Sequence, residues 1–105
     1  MVTFYVVATD RMSWGRGTHV WEALSHALQH SGRQATKAVL FEVKCPQGTV
    51  ENDVYVNEMG SIVAPKGSEV RDLDTISLQR IAAKFYSYFD ELDAALVDNE
   101  LDEGN

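Results

Sequence analysis

Apolar and polar positions change period several times along the chain, and each change marks an element. Val2-Thr3-Phe4-Tyr5-Val6-Val7-Ala8-Thr9 is β-branched and aromatic, and largely apolar on both faces, which is the pattern of a central strand. Asp10 to Gly17 follows as a loop, and Thr18 stands where a hydroxyl can accept from the first turn of a helix. From about His19 to His30, Val20, Trp21, Leu24, Ala27 and Leu28 share one helical stripe. Gly32 then occupies the position that favours a left-handed C-terminal cap.

Thr36 to Cys45 alternates. Val39, Phe41, Val43 and Cys45 make one apolar face, opposite Ala38, Leu40, Glu42 and Lys44. Pro46-Gln47-Gly48 is a turn, because proline presets φ and glycine permits a left-handed exit. Asp53–Asn57 reads as a strand, Glu58-Met59-Gly60 as a turn, Ser61–Ala64 as a short strand and Pro65-Lys66-Gly67 as its end. Residues 68–73 read as a polar connector.

From Asp74 the pattern becomes helical. Leu78, Ile81, Phe85, Phe89, Leu92 and Leu96 form a stripe widened by Ala82 and Ala95, with Asp74 or Thr75 as cap. Continued to Val97, such a helix has about 23 residues and spans roughly 35 Å, so it bends near Ser87 or packs on a partner. Its nearly heptad-like spacing predicts a homodimer through this helix.

The expected architecture is therefore α+β. It is a two-layer sandwich of β-α-β-β-β-α order, with a mainly antiparallel sheet and two helices on one face. The first helix is long enough to cross between parallel neighbours. Residues 1–97 form a single domain, and 98–105 an acidic disordered tail.

Composition narrows the functional classes. With 45% hydrophobic and 10% aromatic residues, the chain can bury a core. Its net charge of −7 is concentrated at one end. Asp90, Glu91, Asp93, Asp98, Glu100, Asp102 and Glu103 have no Lys or Arg among them, and the rest of the chain is balanced. This argues against general affinity for DNA or anionic membranes. No stretch reaches the roughly 18 apolar residues of a membrane span. The apolar start lacks the basic residues of a signal peptide, and a lone Cys45 suits a reducing cytoplasm.

Candidate chemistry is sparse. His19, Glu22, His26 and His30 lie within about 80° on the first helix, and His26 with His30 has a chelating spacing. No further His or Cys completes a metal site, so the stripe reads as a solvated face, and no metal or cofactor is expected. Cys45 shares the apolar face of its strand and reads as an inert thiol. No residue is assigned a catalytic role.

The segment Asp10–Thr18 carries the most signal. Gly15, Arg16, Gly17 and Thr18 at a helix start form a candidate anion site, although the spacing fits no phosphate-binding motif. Arg11, Trp14 and Arg16 are candidates for partner contact, with Tyr86, Tyr88, Asp90, Glu91 and Asp93 as a second surface. The expected function is a small cytoplasmic interaction protein without catalysis, which binds and can inhibit a macromolecular partner. Compact accessory proteins of phages and mobile elements share this size and charge. The alternatives are a nucleic-acid module using Trp14 with Arg11, Arg16, Arg33 and Lys37, and an enzyme or small-ligand protein with an anion pocket at Gly15–Thr18.

Overall fold

The computed structural model describes residues 1–31 and 35–78. The first apolar run forms β1 (Val2–Thr9), and the chain turns and returns as β2 (Trp14–Gly17). Helix α1 (Val20–Ser31) leads to β3 (Lys37–Cys45). A 3-10 turn at Glu51–Asp53 precedes the short strands β4 (Tyr55–Val56) and β5 (Ile62–Val63), and β6 (Glu69–Ser77) follows. The described residues make an α+β protein with one helix and a four-stranded sheet in the order β2-β1-β3-β6. Every neighbouring pair in that sheet is antiparallel. The strands β4 and β5 pair only with each other.

Several expectations change here. Trp14–Gly17 is a strand and not part of a loop. The helix therefore does not join neighbouring parallel strands. It leaves β2, passes over β1 and enters β3, while β1 and β3 pair antiparallel from Val2↔Cys45 to Thr9↔Ala38. Residues 69–77 form a strand, so the polar connector at 68–73 and a helix starting at Asp74 are both wrong. The order β-α-β-β-β-α gives way to β-β-α-β-β-β-β over the described residues. The stripe from Ile81 to Leu96 lies outside them, as do Gly32, Arg33 and the acidic end.

Alternation in β1 divides the core in two. Val7 faces α1 and packs with Ala23, Leu24, Ala27, Leu28, Ala38, Leu40 and Leu78. Phe4 and Val6 face the other way and pack with Val43, Cys45 and Val54. Val56, Ile62 and Ala64 lean on that second cluster. The β4–β5 ladder thus belongs to a third layer, and the two-layer arrangement does not hold. Both faces of β1 are covered, which is why its sequence shows no polar side.

Helix α1 buries a narrower stripe than its apolar residues suggest. Ala23, Leu24, Ala27 and Leu28 are buried, whereas Val20 and Trp21 remain 38% and 42% exposed. The small pair Ala23 and Ala27 is matched by glycines on β2. A Cβ built on Gly15 would lie 2.3 Å from the Ala27 nitrogen and 2.4 Å from the Ala23 oxygen. Gly15 and Gly17 are buried and Trp14 and Arg16 half-buried, so β2 presents bare backbone to the helix. Thr18 does not cap the helix by accepting. Its hydroxyl and its N–H both donate to Glu22 Oε2, at 3.3 and 3.1 Å. The Glu22 carboxylate in the first turn also complements the helix dipole.

Candidate functional site

The turn between β1 and β2 is built by its own polar groups. Thr9 N–H donates to the Ser13 carbonyl at 2.9 Å, and the two hydroxyls of Thr9 and Ser13 share a hydrogen bond. This closure forces Met12 to φ 62°, a left-handed conformation unusual for a side chain of its size, and leaves it 82% exposed. Clefts open on both sides of the turn. One, of about 360 Å³, lies between Met12, Trp14 and the 56–60 segment with Val56, Asn57 and Glu58. The other, of about 420 Å³, lies between Arg11, Trp14 and His26. The first cleft combines apolar walls with the hydroxyls of Thr9 and Ser13 and the Asn57 amide. It can hold an apolar side chain while hydrogen-bonding the backbone that carries it.

Arg16 is turned inward, away from solvent. One guanidinium nitrogen donates to the Val54 carbonyl, and the other donates to Asn52 Oδ1 at 2.9 Å. Its Nε sits 3.9 Å from Glu51 Oε1. The guanidinium carbon lies 5.3 Å from the centroid of the Trp14 ring. One side chain therefore ties β2 to the 3-10 turn and braces the tryptophan that walls both clefts. The Arg16 backbone N–H donates to His26 Nδ1 at 3.4 Å. That contact covers part of the β2 edge and fixes Nδ1 as an acceptor.

Asp10 fastens the start of β3. Its carboxylate accepts from the Thr36 hydroxyl, from Thr36 N–H at 2.9 Å and from Lys37 N–H at 3.3 Å. The Thr36 hydroxyl is the largest cause that lowers the carboxyl from 3.8 to about 2, followed by the Thr36 backbone. A carboxyl depressed in the folded state contributes stability above its unfolded value, and the contribution disappears as pH falls through the folded one. Asp10 therefore stabilises the fold above about pH 4, and this support is lost between about pH 4 and 2. Asp10→Asn is expected to flatten the acid side of a stability–pH profile in that window. Urea midpoints at pH 7, 4 and 2 check it; a profile with the wild-type slope refutes the role.

The structure brings together part of the predicted set. Arg11 and Trp14 share the second cleft, while Arg16 reaches across to residues 52–54. Gly15 and Gly17 face α1, and Thr18 is engaged with Glu22. His19 is exposed and His26 meets β2; the His30 side chain lies outside the described residues. Among the described residues, no three His, Cys, Asp or Glu side chains are grouped to hold a metal ion. Cys45 is fully buried. No described helix is long and apolar enough to cross a membrane. Tyr86, Tyr88, Asp90, Glu91 and Asp93 lie outside the described residues.

Sequence reasoning overlooked the far wall of the first cleft and the exposed methionines. Met12 and Met59, the latter 89% exposed, each stand within a tight turn. Their signal is the placing of a large apolar residue in a turn of otherwise small or polar ones. The chain matches no family model, no curated protein and no solved structure.

Proposed function

We propose that this chain is a non-catalytic interaction protein that binds a protein partner and can inhibit it. The observation that supports this reading is the cleft of about 360 Å³ beside Trp14, flanked by exposed Met12 and by the Asn57–Gly60 turn. Tryptophan and methionine supply adaptable apolar contact and are enriched where proteins meet. The acidic end, with Tyr86, Tyr88, Asp90, Glu91 and Asp93, adds electrostatic steering toward a basic partner. In this reading residues 78–97 contribute the amphipathic stripe from Leu78 onward as a second helix on the α1 face. A homodimer would form through that stripe, and the last eight or so residues stay an acidic tail.

Nucleic-acid binding is the weaker reading, because the Arg16 guanidinium is engaged with Val54 and Asn52. An anion site at Gly15–Thr18 is weaker too, since the two glycines lie against the helix.

The test is capture from an extract of the source cell. Wild-type protein is expected to retain a discrete partner, and Trp14→Ala to lose it at least about tenfold in affinity while keeping its fold. Equal capture by both proteins would remove the cleft from the reading. Substrate turnover by the purified chain without any captured protein would overturn it.

A further inference from the structure

Strand β6 is an edge of the larger sheet, at the opposite end from β2 and Trp14. This strand runs nine residues, pairs with β3 on one side, and is exposed along nearly all of its length. Alternation of hydrogen-bonded pairs shows which of its groups face outward. Leu78 N–H donates to the Thr36 carbonyl at 2.9 Å, and Ile76 is the next residue to turn toward β3. Thr75 and Ser77 therefore turn their backbone groups away from the sheet. The Thr75 N–H is occupied by its neighbour: it donates to Asp74 Oδ1 at 2.8 Å.

Charge selects what can pair there. Arg71 is matched from within, with Nη2 3.4 Å from Glu42 Oε1 on β3. Asp72 and Asp74 have no ion pair among the described residues. An added strand must displace the Asp74 carboxylate from the Thr75 N–H and bring these acids close to its own side chains. Across the bulge Asp74 pairs with Leu40 on the α1 face and Asp72 with Phe41 on the other. A strand bearing Lys or Arg on both faces therefore compensates both, whereas an apolar or acidic one leaves carboxylates crowded and unpaired. A second copy would bring the uncompensated acids of one β6 edge against those of the other, and so is disfavoured.

We propose that the β6 edge accepts an extended, basic segment of a partner protein as an added strand, recognised by backbone pairing at Thr75 and Ser77 and by ion pairs to Asp72 and Asp74. The segment carries Lys or Arg at the positions that face those acids.

The test is an amide-shift titration of the full chain with a blocked peptide of Lys-Lys-Val-Val repeats, about eight residues long, which presents lysine on both faces of a strand. A peptide of Glu-Glu-Val-Val repeats serves as the control. Shifts concentrated in residues 69–77 with the basic peptide, and none with the acidic one, are expected. Asp72→Asn with Asp74→Asn should weaken the basic peptide at least about tenfold. Thr75→Pro should abolish its binding, because proline lacks the outward donor while leaving the β3 side unaltered. If Thr75→Pro fails to fold, the double Asn variant decides. Trp14→Ala should bind the peptide like wild type, which separates this edge from the cleft. Absence of shifts, equal binding of both peptides, or undiminished binding by the double Asn variant overturns the proposal.

Discussion

Gly15→Ala is expected to destabilise the protein by at least about 3 kcal/mol, the largest effect of an added methyl group among the described glycines. The added carbon would sit 2.3 Å from one backbone atom of α1 and 2.4 Å from another. Neither is the end of a flexible side chain, so relief requires moving the helix off β2. That movement would also loosen Leu24 and Leu28 over β1 and β3. Thermal unfolding should show a fall of roughly 15 °C, given the usual 4–8 °C per kcal/mol for a small domain. Gly17→Ala is the internal control. Its nearest neighbours are the Glu22 Cβ at 2.5 Å and Oε2 at 2.9 Å. The carboxylate can swing away by giving up its bonds to Thr18, and the Cβ shifts only with the first turn of α1, not with the helix body that meets Gly15. The cost there should be clearly smaller. Equal losses at the two positions would mean that the helix does not rest on Gly15.

Arg16→Met is expected to cost about 2–3 kcal/mol, chiefly by leaving the Val54 carbonyl without its charged donor. Methionine keeps the aliphatic stem, so the loss isolates the polar clamp. Val54 itself is fully buried in the second cluster, and its carbonyl depends on this guanidinium for a partner. Arg16→Lys should recover little, because an ammonium cannot span both Val54 and Asn52 with the geometry of a planar fork. Urea unfolding gives the magnitude, and amide exchange at residues 51–56 gives the location. Faster exchange there with an intact β1–β3 ladder is the expected signature. Wild-type stability in Arg16→Met would show that the side chain is available for a ligand instead.

The strands and helix that could be seen in the sequence are those whose local pattern equals their tertiary role. The run Val2–Thr9 is apolar on both faces because both faces are covered, and α1 and β3 carry the periods of their burial. The elements that escaped do so for identifiable reasons. Strand β2 is Trp-Gly-Arg-Gly, and glycine has little preference for a strand. What the sequence encodes there is closeness to a helix, which becomes visible only once Ala23 and Ala27 are seen opposite. Strand β6 contains a bulge, with the register slipping between Leu40 and Phe41 so that Leu73 is unmatched. The extra residue spaces Val70, Leu73 and Ile76 three apart, which imitates a helix and hides the alternation. The prominence of Arg16 was legible, but its partners lie far along the chain, and no local pattern could show that it binds inward.

The placement of the helix has a consequence for synthesis. Strand β1, inside the larger sheet, emerges from the ribosome before the other strands of that sheet, and its partner on one side, β2, follows within a few residues. Its partner on the other side is completed only at Cys45. Until then one hydrogen-bonding edge of the most apolar segment stands open, so the nascent chain passes through an interval of exposure to chaperones or to aggregation, ended only when β3 docks.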